Sequence, residues 1–337
     1  MPFAPASHSR RPTRLLLAGA PVWALVGLIA GPLSIGAQEA SPTSVDSIAL
    51  PTPGPLPDAA PRDGGPLAVV ASTGILADLV RQLGGARVEV RSILPANADP
   101  HDYEPTPEDV GAIEDAAVLV RHGLGLDGWV DSLLDNADTD ATIVVATVGI
   151  ETLASDEDGF EQGDPHVWFD PTRVETMVAT IASGLAASDP DGASSYEARK
   201  MAYQEQLGGL DAAIRAAVET IPPDRRKLVT NHDALAYFAA RYGLTVVGTV
   251  IPGLETTAEP SAEEIAELLD LIEDEGVPAI FAENTANPDL AEELANEADI
   301  AIVDDLYTDS LGDAGSGADT YLGLMETDTR LIVEALR

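Results

Sequence analysis

Five histidines and no cysteine define the metal chemistry open to this 337-residue chain. Without thiolates, any metal site must be built from nitrogen and oxygen donors. His8 lies in an N-terminal segment read below as an export signal. His101 stands in Asn97-Ala-Asp-Pro-His-Asp-Tyr-Glu-Pro-Thr-Pro107, and His166 in Asp164-Pro-His-Val-Trp-Phe-Asp-Pro171. His232 stands in Thr230-Asn-His-Asp-Ala234, and a carboxylate, Asp309, in Leu306-Tyr-Thr-Asp-Ser-Leu311. One histidine alone is more often structural than a ligand, so placement has to carry the argument. Neutral imidazoles bind zinc well, one carboxylate offsets part of its charge, and three nitrogens with one oxygen fill a tetrahedron. His122 could approach the same region, but the reading is against its being a ligand.

The elements that must position these residues follow from periodicity. Short apolar runs at 67–72, 88–94, 117–121 and 142–147 read as strands, with helical spacing between them at 75–83, 107–115 and 126–134. Helices follow over 171–187 and about 192–221, the second ended by Pro222-Pro223. Strands at 227–230, 245–251, 279–282 and 300–303 then alternate with helices at 234–242, 262–275, 288–297 and 320–336. This predicts an α/β fold of two lobes, each with a roughly four-stranded, mainly parallel sheet flanked by helices, joined by one long backbone helix. The expected boundaries are an N-terminal lobe over 67–190, a linking helix over 191–222 and a C-terminal lobe over 223–337. In such sheets ligands bind beyond the carboxyl ends of the strands. His101 and His232 follow strands of opposite lobes, so both can face one cleft.

Residues 1–37 carry Arg10, Arg11 and Arg14, no acidic residue, and an apolar run from Leu15 closed by Ile35-Gly36-Ala37. This reads as an export signal, with an uncleaved anchor as the alternative. The proline-rich stretch 38–66 reads as a disordered tether. A periplasmic or cell-surface location is expected. The absence of cysteine leads to the expectation that the protein is not a lipoprotein. Beyond residue 37 the net charge is −42, which argues against nucleic-acid binding. A monomer is expected.

Four segments, in order, resemble the solute-binding proteins of zinc and manganese ABC importers, the ZnuA/TroA/PsaA group. They are Pro100-His-Asp-Tyr-Glu-Pro-Thr-Pro107, Asp164-Pro-His-Val-Trp-Phe-Asp-Pro171, Asn231-His-Asp-Ala-Leu-Ala-Tyr-Phe238 with Tyr242-Gly-Leu244, and Tyr307-Thr-Asp-Ser-Leu311 with Tyr321. The likeness runs from about Leu67 to Leu336. It implies the ligand set His101, His166, His232 and Asp309, two lobes bridged by a long helix, and a membrane permease with a cytoplasmic ATPase as partner. In that group a manganese preference often goes with glutamate at the third position; here it is His232, which favours Zn(II) over Mn(II) as cargo. Bidentate binding by Asp309 would favour manganese.

Many zinc members carry a histidine-rich loop between the first two ligands. Here 151–164 holds six acidic residues among fourteen and no histidine, read as a solvated loop in preference to a cation-gathering one. Asp233, Glu104 and Glu283 are candidates to orient ligand imidazoles. Trp168 and Phe169 read as packing residues, and Thr106 as a helix start. No His-Glu-x-x-His pair or nucleophile motif is present, so no catalytic residue is assigned and a mononuclear zinc hydrolase is disfavoured. A surface adhesin is a further alternative.

Overall fold

The computed structural model describes residues 54–337. The segment read as an export signal and residues 38–53 of the expected tether lie outside the described residues.

Each lobe is built on a four-stranded sheet in which every pairing is parallel. In the N-terminal lobe β1 (Leu67–Ala71), β2 (Val88–Ser92), β3 (Val118–Arg121) and β4 (Thr142–Val145) lie in the order β2-β1-β3-β4. In the C-terminal lobe β5 (Lys227–Thr230), β6 (Thr245–Thr249), β7 (Ala279–Glu283) and β8 (Ala301–Leu306) lie in the order β6-β5-β7-β8. The two lobes therefore share one topology. In each, the chain reverses its direction of travel across the sheet next to the first strand, where a crevice opens for ligands.

Helices cover both faces of the sheets. Those of the first lobe are α1 (Gly74–Gly84), α2 (Pro107–Glu114), α3 (Val130–Asn136) and α4 (Pro171–Ser188). Then come α5 (Ala193–Val218), α6 (Ala236–Tyr242), α7 (Ala262–Glu275), α8 (Asp289–Ala298) and α9 (Tyr321–Leu336). Helix starts follow the local chemistry. Thr73 accepts the N–H of Leu76 ahead of α1, Asp170 accepts that of Thr172 ahead of Pro171 in α4, and Ser261 forms a capping box with Glu264 on α7. The start expected at Leu126 is delayed to Val130. Gly123, Leu124 and Gly125 all take positive φ, and the Asp127 carboxylate accepts the N–H groups of His122 and Gly123, which holds the chain in a turn.

Strand residues alternate between two cores. Val69, Ala71, Val118, Val120, Leu228, Ala279 and Phe281 face a central apolar cluster, whereas Val70 and Leu119, or Val229 and Ile280, face a smaller cluster on the outer side of each sheet. The central cluster is continuous from one lobe to the other through α1, α4, α5, α6 and α9. The linking helix α5 has 26 residues, about 39 Å at 1.5 Å per residue, and buries Tyr196, Tyr203, Leu207, Leu210 and Ile214 along one stripe. An Arg241 fork donates to both oxygens of Asp211 on α5 at 2.8 Å and lies 3.4 Å from Asp170 at the head of α4. One guanidinium thus joins α6 of the second lobe to the linking helix and to the first lobe.

Residues 54–66 were expected to belong to a disordered tether. In the structure they lie against the folded body. Arg87 donates to the Ala60 carbonyl at 3.2 Å, Arg199 to that of Pro57, and Gln206 to that of Gly54, while Leu56 packs on the central cluster. The carbonyls of this proline-rich stretch remain free to accept, and three long donors on the body reach those of Gly54, Pro57 and Ala60.

Candidate metal centre

Loops at the carboxyl ends of the strands carry four side chains into the cleft. His101 follows β2, His166 precedes α4, His232 follows β5 and Asp309 follows β8. One donor atom from each lies within 4.8 Å of every other. His166 Nε2 is 3.3 Å from His232 Nε2 and 3.4 Å from Asp309 Oδ1, and His232 Nε2 is 3.3 Å from Asp309 Oδ2. Ligand bonds of about 2.0–2.1 Å in a tetrahedron place donors roughly 3.3–3.4 Å apart; the histidine–histidine separation matches, and each histidine stands at that distance from a different Asp309 oxygen. His101 Nε2 stands farther out, 4.0 Å from Asp309 Oδ2; it is buried and has no hydrogen-bond partner. A buried, unpartnered imidazole nitrogen facing three other donors has the surroundings that a cation ligand would have.

The chain builds two of the loops the same way. In Asp99-Pro-His101 the Asp99 carboxylate accepts the His101 N–H at 2.8 Å, and in Asp164-Pro-His166 the Asp164 carboxylate accepts the His166 N–H at 2.9 Å. Asp164 also takes the ring Nδ1–H of His166 at 2.8 Å. On His232 that role falls to Glu283, which accepts from Nδ1 at 2.6 Å, from the His232 N–H at 3.0 Å and from the Thr308 hydroxyl at 3.0 Å. In the neutral ring, a proton fixed on Nδ1 leaves the Nε2 lone pair pointing into the site. The Asp309 loop is pinned in turn: Tyr307 N–H donates to Asp328, and the Trp168 indole donates to the Thr308 carbonyl at 2.9 Å.

Electrostatics divides the imidazoles. Burial first, then the charges of neighbouring histidines, hold His101 and His166 well below the usual histidine range. For His232 burial acts in the same direction, but Glu283 and Asp309 outweigh it and lift the ring to about 10. Burial raises Asp309 to about 7 against the pull of His232, and Asp164 likewise to about 7. His232, Asp309 and Asp164 are thus all shifted toward their protonated forms.

All four residues singled out in the sequence are brought together. His122 stays outside the group; its Nε2 lies 2.9 Å from the Pro165 carbonyl. Of the three candidate orienting carboxylates only Glu283 contacts a ligand ring among the described residues. Asp233 bonds through its backbone N–H to the Gly253 carbonyl instead. Asp164 was not singled out, although the repeated Asp-Pro-His tripeptide was the available signal. Trp168 and Phe169 are packing residues, buried to 1% and 0% exposure.

The family described as zinc-uptake complex component A, periplasmic, matches residues 69–335. A manganese-binding lipoprotein, MntA, of Halalkalibacterium halodurans is 36% identical over 276 residues, covering 82% of this chain and 90% of its own. The metal ABC transporter substrate-binding lipoprotein FimA of Streptococcus parasanguinis is 31% identical, covering 81% and 90%. The solved structure of the periplasmic zinc-binding protein TroA of Treponema pallidum superposes with a TM-score of 0.75 at 31% identity, covering 81% of this chain and 99% of its own. The expectation that the chain is not a lipoprotein does not stand. MntA and FimA, each matching over four fifths of this chain, are both named lipoproteins.

Proposed function

Because the chain belongs to the family of zinc and manganese ABC-transporter solute-binding proteins, we propose that it captures one divalent transition-metal ion on His101, His166, His232 and Asp309. Members of this family are the metal-binding extracytoplasmic components of ABC transporters and not enzymes. Delivery is accordingly to a membrane permease with a cytoplasmic ATPase, and the cargo we favour is Zn(II). The observation that carries this reading is the set of donor separations near 3.3 Å around a buried, unpartnered His101 nitrogen. Three neutral imidazoles and one carboxylate suit zinc, which also ranks above manganese at nitrogen sites.

Mn(II) is the second reading, and one observation favours it. Both Asp309 oxygens face the histidine nitrogens, one at 3.4 Å from His166 and the other at 3.3 Å from His232. A bidentate carboxylate would raise the coordination number beyond four. Elemental analysis of protein purified without added metal, followed by zinc–manganese competition, separates the two. About one ion per chain is expected, with zinc retained against manganese. His101→Ala and His232→Ala should each lower that content; unchanged metal in both variants would remove the assignment.

A further inference from the structure

The acidic loop over 151–164 is not a free solvated loop. Its base is closed by the Asp164 N–H donating to the Leu153 carbonyl at 3.0 Å. From the other lobe the Tyr237 hydroxyl accepts the Leu153 N–H and donates to the Asp164 carbonyl, both at 2.8 Å. Its one large aromatic residue turns inward. Phe160 is 2% exposed, although Asp158, Gly159, Glu161 and Gln162 around it are exposed. The Phe160 ring sits edge-to-face on His101 with centroids 6.1 Å apart. Gly125 lies so close to the loop that a Cβ there would meet the Gly159 carbonyl at 2.4 Å and the Phe160 ring at 3.1 Å. One ring therefore separates His101 from an exposed stretch of backbone.

The tip of the loop reaches the opposite lobe. Both Glu157 oxygens accept the Leu254 N–H, at 3.1 and 3.0 Å. The Gly253 carbonyl next to it accepts the N–H of Asp233, the neighbour of His232. Asp99, which holds the His101 N–H, accepts the Thr256 hydroxyl from the same segment. The loop is thus tied to the His166 segment at its base and to the His232 segment at its tip.

Resting on the reading that these four residues hold an ion, we propose that residues 151–164 form a lid over the metal site. Phe160 is its roof over His101, and Glu157 is its latch on the Leu254 N–H. His166 and His232 already stand at ligand spacing with the latch closed, so one cation between them holds the two anchor segments together and keeps the lid seated. Release requires the latch to open, so the lid sets the rate of ion exchange more than the equilibrium affinity.

The test uses the full chain loaded with zinc and stopped-flow transfer to a chromophoric chelator. Glu157→Ala is expected to speed release by about tenfold, the scale of a lost hydrogen bond to a charged acceptor. Association should accelerate as well, so affinity shifts by much less than release. Glu157→Gln, whose amide oxygen still accepts from Leu254, should remain near the parent rate, as should Asp158→Asn. Phe160→Ala should speed release independently of the latch. Equal acceleration in Glu157→Ala, Glu157→Gln and Asp158→Asn would show that loop charge, not a latch, is what matters and would overturn the proposal. Release rates unchanged in both Glu157→Ala and Phe160→Ala, in protein that binds zinc and loses it on His232→Ala, would overturn the lid alone. A parent protein that binds no ion would overturn both readings.

Discussion

Replacing Glu283 by glutamine tests how the cleft prepares His232. Three donors converge on the two Glu283 oxygens: the His232 ring at 2.6 Å, the His232 N–H at 3.0 Å and the Thr308 hydroxyl at 3.0 Å. Glutamine offers one acceptor oxygen and one NH2, so in either orientation the NH2 faces at least one of these donors. If it faces the ring, Nδ1 must become an acceptor, the proton moves to Nε2, and the lone pair is lost from the site. Changes to carboxylates that orient ligand histidines typically cost 10–100-fold in metal affinity, equivalent to about 1.4–2.7 kcal/mol. The pH dependence should change as well. In the parent protein the metal-free His232 keeps its proton up to about 10, so ion and proton compete across the neutral range. Apparent affinity should then rise by about one log unit per pH unit between pH 7 and 9, and more steeply below 7, where Asp309 also carries a proton. Without the Glu283 charge the His232 proton is held less tightly, and the slope between pH 7 and 9 should flatten. Chelator-competition titrations with zinc across that range measure both quantities. A Glu283→Gln protein within twofold of the parent, with an unchanged slope, would refute the reasoning.

Two further outcomes concern the frame. An added Cβ at Gly208 or Gly209 meets nothing within 4 Å in the middle of α5, so alanine at either position should stabilise by about 1 kcal/mol, and calorimetry should show a melting temperature higher by about 2 °C for each. Arg87→Met removes a bidentate pair with Asp189 at 2.8 and 3.0 Å together with the bond to Ala60, while Tyr196 and Arg62 still face Asp189; it should cost about 2 kcal/mol and leave the metal content of the purified protein unchanged.

Strand and helix order were legible because the apolar periods are strong and several helix starts, those of α1, α2, α4, α7 and α9, carry their own capping chemistry. The three histidines that the structure gathers were legible because each lies beside a strand end or a helix start in a chain with few histidines. Their supporting carboxylates were harder to read. Glu283 had no feature to separate it from Asp233 or Glu104 until β7 placed it against His232. Asp164 looked like one acid among six in a solvated loop. Phe160 was hidden for the same reason, since five acidic neighbours outweigh one aromatic ring in any compositional reading. Residues 54–66 looked like spacer because proline content says nothing about donors at Arg87 and Arg199, distant in sequence.

The central apolar cluster that runs unbroken from Leu67 to Leu336 bears on how the protein comes apart. Two lobes with separate interiors would melt in two steps, each with its own temperature. Here neither interior can be opened without stripping the other, so the body is expected to unfold in a single cooperative step. At the proposed site, an ion gripped from both sides would steady the whole chain, by about 2.7 kcal/mol at a free concentration one hundred times its dissociation constant. Heat resistance of the entire molecule becomes a gauge of cargo, and a protein that has given up its ion is also the one most open to proteases.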